Sequence, residues 1–259
     1  MSQLALELPA ARPRRVVVGF SGGVTSAWCA GWALRNYPRE EVVLLFHDTK
    51  EEHPDTYRFL REMAAALGLP ITERSDGRSV TQLFRDEGYL GNSLHTMCSR
   101  ILKAEQGSRY VAELRSQGFD VVKIVGYSAK EPARVSRMCG HALSEGFTPR
   151  FPMIETGTTK QQAADWCSCT MGVQPSAQYE HFEHANCDGC VKGGRAYWLK
   201  TAEVRPAVFE QRASLEEEFG HCIIHGENPI FLRELVKVGL KRKVNPREQI
   251  TLGACECGD

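Results

Sequence analysis

No sign of charge predominates in this sequence. Its 32 Lys plus Arg balance 32 Asp plus Glu, a formal net charge of +0, so no global positive field draws it onto nucleic acid or an anionic membrane. Contact with either must come from a local patch. Apolar runs are short, and none approaches the roughly 18 to 20 residues that a membrane-spanning helix needs. The segment MSQLALELPAARPRR puts its arginines after a short apolar stretch, the reverse of an export signal, so a cytoplasmic location is expected. Internal repeats and low-complexity tracts are missing too, which excludes solenoids and coiled-coil designs. What remains is 259 residues, 42% hydrophobic and 25% charged, enough to bury a real core. In a reducing compartment, ten cysteines, eight of them from Cys139 onward, point to metal binding or catalysis rather than to disulfides.

The β-branched run RVVVGF at 15–20 stops at Ser21-Gly22-Gly23, and Val24 to Asn36 then has helical composition, closed by Pro38. A second run, Glu41 to Phe46, stops at His47-Asp48-Thr49 and precedes a helix in which Tyr57, Leu60, Ala64 and Leu67 share a face. Pro70 to Glu73 reads as a third strand, Val80 to Glu87 as a helix, and Cys98 to Gln117 as a longer helix. Asp120 to Tyr127 is the clearest later strand, and a helix is expected over Glu131 to Ser144. Strands alternating with helices imply a doubly wound parallel α/β sheet, here over residues 1–155. Beyond Ile154 the strands give way to helical fragments and cysteine pairs, so residues 156–259 read as a cysteine-rich C-terminal extension packed on the α/β domain.

In such a sheet, ligands sit beyond the carboxyl ends of the strands, where strand order reverses. The first strand delivers Ser21-Gly22-Gly23-Val24-Thr25-Ser26. Its two glycines allow close backbone approach to an anion, its hydroxyls add donors, and the next helix offers free N–H groups and a positive dipole end. The pattern is neither GxxxxGK[ST] nor GxGxxG, and an ordinary strand-to-helix turn is the competing reading. The order strand, SGGxxS, helix, strand, Asp48-Thr49, then a helix with Pro54, Thr56 and Tyr57 resembles the PP-loop superfamily of adenine-nucleotide enzymes. Within it, HDTKEEHPDTYRFL is most similar to the phosphoadenosine phosphosulfate (PAPS) reductase family. Cys98-Ser99-Arg100-Ile101-Leu102-Lys103, then Gly126 to Glu131 with Arg134 and Arg137, then Asn186-Cys187-Asp188-Gly189-Cys190 extend the resemblance to about residue 198. It implies a Rossmann-like, adenine nucleotide alpha-hydrolase-like fold. It also implies that Ser21, Gly22, Gly23, Thr25 and Ser26 hold phosphates, with Gly126 among the nucleotide-binding positions and His47, Asp48 and Thr49 bordering the adenosine. Thr25 stands where the PP-loop pattern SGGxDS has an aspartate, while the retained double glycine favours ATP over PAPS or adenylyl sulfate as ligand. Mg²⁺ would normally accompany the phosphates.

Arg100 and Lys103 are three apart, as are Arg134 and Arg137, so each pair is expected to share a helix face and to converge on an anion. A solvated helix face is the bland alternative. Lys241, Arg242, Lys243 and Arg247 form a second patch, either solvated or able to steer a nucleic-acid substrate.

Cys187 and Cys190 bracket two residues, the spacing with which a tight turn aims two thiolates at one metal. Cys98 stands where cluster-bearing members of the family have a cysteine pair, but its neighbour here is Met97. Either Cys139, Cys167 or Cys169 completes a four-thiolate site, or a [4Fe–4S] cluster keeps one open iron that could hold a hydrosulfide. A structural Zn²⁺ in the same thiolates, or no metal, are the other readings. The tail Ala254-Cys255-Glu256-Cys257-Gly258-Asp259 is similar to the Glu-Cys-Gly nucleophile segment of sulfonucleotide reductases, which makes Cys257, with Cys255, a catalytic candidate beside Lys103.

The leading expectation is an adenine-nucleotide-dependent sulfur-transfer enzyme that activates an acceptor by adenylylation, using thiol or cluster-bound sulfur from a donor, on a metabolite or a nucleic acid. The alternative is reduction of PAPS or adenylyl sulfate to sulfite by Cys257 with a thioredoxin-like reductant. A third reading keeps only nucleotide binding.

Overall fold

The computed structural model describes residues 12–226, 228–239 and 250–252. Five strands, β1 (Arg14–Gly19), β2 (Val42–His47), β3 (Ile71–Arg74), β4 (Asp120–Ile124) and β5 (Thr148–Arg150), form one sheet in the order β3-β2-β1-β4-β5. Every pairing is parallel. The central strand β1 carries Val16, Val17 and Val18 with no exposed surface, the continuous apolar run expected where helices cover both faces. Chain order reverses beside β1, so the crevice between the carboxyl ends of β1 and β4 is the position for a ligand.

On one face lie α1 (Val24–Asn36) and α2 (Pro54–Leu67). Pro54 opens α2 with its fixed φ, and Gly68 closes it at φ +66°. Between these ends Phe59, Leu60, Met63, Ala64 and Leu67 recur at helical spacing on the buried side. After α3 (Val80–Asp86), α4 (Met97–Ser99) runs through a π-helical turn, Arg100–Glu105, into α5 (Gln106–Ser116). The opposite face is covered by α5 and α6 (Pro132–Glu145), around Val17, Leu45, Val111 and Phe147.

Three details depart from the sequence expectation. Cys98 to Gln117 is not one regular helix, because the π-helical turn interrupts it. β4 ends at Ile124, since Val125–Ser128 turns so that Gly126 can pass the first turn of α1, where a Cβ would fall 3.0 Å from the Thr25 backbone. The three residues of β5 were too few, with Pro149 as the middle one, to show a strand pattern.

The remaining helices are α7 (Pro152–Glu155), α8 (Lys160–Asp165), α9 (Arg195–Val204), α10 (Pro206–Phe219) and α11 (Leu232–Val238). The cores do not divide where the strand pattern stops. Ala163, Ala164, Cys167, Val173 and Tyr179 are part of the same core as β1 and α1. A separate core joins Val80, Phe84, Ile101 and Leu102 to Val191, Trp198, Phe209 and Leu235. Segments on both sides of residue 155 thus share each of these cores. Among the described residues no helix is long and apolar enough to cross a membrane.

Candidate functional site

The loop after β1 is shaped by backbone. Gly22 sits at φ +80°, and a Cβ there would collide with the Thr56 methyl of α2. Ser26 Oγ donates to Gly23 O at 2.7 Å and accepts from Ser21 N at 3.2 Å, which folds the loop over the first turn of α1. That helix begins at Gly23 without a side-chain cap, so its leading N–H groups and dipole face the crevice. Val24 N donates to Tyr179 Oη at 3.2 Å, a prop supplied from far along the chain.

The carboxyl end of β2 supplies the next wall. Asp48, 5% exposed, accepts from Tyr57 Oη at 2.6 Å and from Lys50 N at 2.8 Å, and its ion pair with Lys50 Nζ spans 2.8 Å. Burial works against its charge, yet Lys50 and Tyr57 outweigh it and keep the carboxyl below the ordinary aspartate range. His47 turns toward Gly107 of α5, and burial, then Lys123 and Lys103, push its pKa down to about 4. Its Nε2 is buried without a hydrogen-bond partner. Thr49 is fully enclosed and belongs to the thiol side of the site.

A cavity of about 210 Å³ takes Ser21 from the loop after β1 and Thr49 from the end of β2, and is lined further by Cys98, Lys103, Arg134, Cys187 and Cys190 among others, while His47 and Asp48 lie outside its lining. At its floor Glu52 Oε1 accepts from Lys103 Nζ at 2.9 Å, from Thr49 Oγ1 at 3.0 Å and from Cys187 Sγ at 3.2 Å. Burial opposes the Lys103 charge, but Cys187 and Glu52 overcome it and hold its pKa above the ordinary lysine value. Burial pushes the Cys187 thiol up to about 12, with Lys103 pulling the other way. The Cys98 thiol is also raised by burial.

The expected basic cluster divides. Lys103 and Arg134 line the cavity, Arg134 lying 4.2 Å from the centre of the Tyr127 ring. Arg100 instead pairs with Glu105 in solvent, its side chain 64% exposed. The cause is the π-helical turn: where hydrogen bonds run from i to i+5, positions three apart no longer share a face. Arg137 is exposed and donates to Ala133 O of its own helix.

The three cavity thiols come from α4 and from the Cys187–Cys190 turn. None of the candidate fourth ligands lines the cavity. Cys167 is buried in the core against α1, with its thiol 4.0 Å from Val24 O, and Cys139 on α6 is exposed. Cys169 is also exposed but is disulfide-bonded, which removes it as a ligand and overturns, at this cysteine, the expectation that disulfides are absent. The metal-site expectation therefore narrows to three thiols. Cys255 and Cys257, together with Lys241, Arg242, Lys243 and Arg247, lie outside the described residues.

Several contributors gave little sequence signal. Lys192 lines the cavity two positions after Cys190, and Glu52 lies in the same stretch as Asp48. Tyr197 holds the turn, accepting from Cys190 N at 3.0 Å. Lys160, the first residue of α8, lies 5.2 Å from the Tyr179 ring centre and donates to Glu183 O, and burial lowers its pKa to about 8. Arg212 reads as a surface residue in the charged helix FEQRASLEEEF, yet it is 1% exposed.

Residues 15–138 match the family model of the phosphoadenosine phosphosulfate reductase domain. That stretch carries a PAPS reductase-family domain. A 58-residue stretch is 45% identical to the uncharacterized nin region protein ORF290 of Escherichia phage lambda, over 22% of this chain and 20% of that protein. A solved structure, the phosphate complex of phosphoadenylyl-sulfate (PAPS) reductase from Candida auris, is 24% identical, with a TM-score of 0.33 over 46% of this chain and 56% of that one. The chain thus spans a fifth of the phage relative and just over half of the fungal one. The matched stretch of the PAPS reductase-family domain includes Ser21 to Ser26, Cys98, Lys103 and Arg134, whereas Cys187, Cys190 and Arg212 come from beyond it.

Proposed function

We propose that this chain is an adenine-nucleotide-dependent sulfur-transfer enzyme. One observation carries the reading: Ser21 of the anion loop, the cations Lys103 and Arg134, and the thiols of Cys98, Cys187 and Cys190 line one cavity. Nucleotide phosphates and a sulfur centre would then meet without leaving the protein.

The loop N–H groups of residues 21–26 and the dipole of α1 hold the phosphate chain of ATP, and Arg134 neutralises charge that develops on it. An acceptor oxygen attacks the α-phosphorus and pyrophosphate leaves. A sulfur nucleophile then bonds to the acceptor carbon, and AMP departs with that oxygen. Lys103, tied to Glu52 beside Cys187, keeps a positive charge where sulfur anions would enter.

The donor set fits a metal group. Three thiols surround a space of about 210 Å³ with Lys103 and Lys192 at its edge. Among the described residues no three His, Cys, Asp or Glu side chains are placed to hold one metal ion, so it is the soft chemistry of the three thiols, not their arrangement, that supports a metal group here. Cys98, Cys187 and Cys190 would hold a [4Fe–4S] cluster, which when bound supplies redox-active sulfur chemistry with one position not filled by these thiols.

The family match favours a second reading, reduction of a sulfonucleotide. There the Cys257 thiolate attacks the sulfur of PAPS or adenylyl sulfate, the nucleotide leaves, and a thioredoxin-like dithiol reduces the thiosulfonate to release sulfite.

The test is anaerobic purification with iron, sulfide and zinc analysis, repeated for Cys98→Ala and Cys187→Ala, alongside ATP binding and a sulfite-release assay. The proposal expects iron and sulfide lost in both variants while ATP binding persists. Metal-free wild type that releases sulfite from PAPS, with the activity abolished by Cys257→Ser, would transfer the assignment to the reductase.

A further inference from the structure

The Cys187–Cys190 turn is held by a side chain from the far end of the chain. Arg212 of α10 is 1% exposed. Its Nε donates to Gly189 O at 2.9 Å, its Nη1 to Thr81 Oγ1 at 2.8 Å and its Nη2 to Asp188 O at 3.2 Å, while Nη2 also pairs with the Glu51 carboxylate. Glu51 completes the network, accepting from Thr81 N at 2.8 Å through its side chain and from Asp188 N at 2.7 Å through its backbone. Gly189, at φ +65°, brings the turn so near that a Cβ would fall 3.0 Å from Arg212 Nε. A planar fork with five fixed donors satisfies two successive carbonyls, a hydroxyl and a carboxylate at once, which an ammonium cannot copy.

None of this network reaches the nucleotide loop. It acts on the turn that carries two of the three cavity thiols, and through Glu51 it fastens that turn to the loop bearing Asp48, Thr49 and Glu52. A buried guanidinium is costly unless every donor is met, so the network stays together as a unit or opens as one.

We propose that Arg212 and Glu51 are positioning residues for the thiol cavity: the buried pair sets the Cys187–Cys190 turn against the β2 loop and so fixes the site's capacity for a soft metal group. The metal part rests on the reading that Cys98, Cys187 and Cys190 hold a metal, and the test therefore has a second, metal-independent readout.

The full-length wild type, Glu51→Gln and Arg212→Lys are purified anaerobically and titrated with Co²⁺, following the thiolate-to-cobalt absorption band. In metal-free samples, alkylation by iodoacetamide is then timed at each cysteine by mass spectrometry. Both variants are expected to bind Co²⁺ about tenfold more weakly or worse. Alkylation of Cys187 and Cys190 should quicken by about tenfold, while the buried Cys29 and Cys167, in the other core, keep wild-type rates. Glu51→Gln, isosteric and still offering Arg212 an acceptor oxygen, carries the test if Arg212→Lys fails to fold. Unchanged rates at Cys187 and Cys190, or rates rising in parallel at every cysteine, would overturn the proposal. Wild type that takes up no Co²⁺ yet shows the selective alkylation sinks the metal reading and leaves the positioning role supported.

Discussion

The two halves of the candidate site are built on opposite principles. The loop after β1 is local: six consecutive residues, Ser21 to Ser26, make it from backbone geometry, two glycines and one helix end. The thiol cavity is assembled. Cys98, Cys187, Lys103 and Glu52 meet only because α4, a π-helical turn, the loop after β2 and a turn before α9 fold together, with 135 residues separating Glu52 from Cys187 and 161 separating Glu51 from Arg212. A local site is specified by spacing and survives as a motif. An assembled one depends on side chains whose sequence neighbours say nothing of their role.

Alanine at the two turn glycines sharpens this contrast most. Gly22→Ala places a Cβ on the Thr56 methyl with φ at +80°, and both Thr56 and Leu60 belong to the packed face of α2. Left-handed strain and overpacking together should cost about 2 to 5 kcal/mol, with ATP binding lost along with stability. Gly189→Ala has the same backbone requirement at φ +65°, and its Cβ would fall 2.9 Å from Val208 Cγ1 and 3.0 Å from Nε of the buried, hydrogen-bonded Arg212. That variant should likewise lose about 2 to 5 kcal/mol yet keep its ATP affinity. Urea denaturation and nucleotide titration of both variants check it, and equal effects on ATP binding would break the contrast.

The same division explains what the sequence revealed. The strands β1 to β4 and the helices on both faces were legible because burial on a parallel sheet imposes unbroken apolar runs and helices a 3.6-residue period. The Ser21–Ser26 loop was legible because its chemistry lies in consecutive residues. Arg100 was misplaced because spacing alone cannot show that a helix widens into a π-helical turn, and the fourth-ligand candidates because a cysteine such as Cys167 carries no mark of facing the core. Arg212 and Glu51 were invisible, since a charged residue in a charged helix reads as solvated until a buried partner is placed beside it.

The regions also differ in how pH acts on them. In the core that joins α3 to α10 and α11, Glu216 accepts from Ile223 N and Leu232 N, each at 2.6 Å, and holds the start of α11. Burial raises its pKa from 4.5 to about 7. Between those values the folded state binds more protons than the unfolded state, so stability falls as pH rises through that window, by on the order of 2 to 3 kcal/mol. Glu216→Gln, whose single amide oxygen satisfies fewer donors, should be less stable at pH 5 yet show a flatter decline to pH 8. Denaturation series at several pH values measure the difference, and parallel slopes for the two proteins would remove Glu216 as the cause.

The smallest expected effect tests whether placement rather than charge decides function. Arg100 and Arg134 are both exposed arginines beside carboxyl-end loops, each paired with a nearby carboxylate, Glu105 and Glu131 respectively, but only Arg134 lines the cavity with Ser21. An exposed pair of that kind contributes at most about 1 kcal/mol, so Arg100→Ala should change ATP affinity less than about twofold. A guanidinium that meets phosphate contributes more, and Arg134→Ala should weaken ATP about tenfold, the equivalent of about 1.4 kcal/mol. AMP affinity should fall less, because Arg134 acts on the charge that the terminal phosphates add. Calorimetric titration with both nucleotides reads all four values. If the two variants weaken ATP equally, the cations act as a diffuse field and the division of the basic cluster has no functional meaning. A selective loss for ATP in Arg134→Ala alone would place the phosphate chain along the path from the loop at Ser21 toward the thiols.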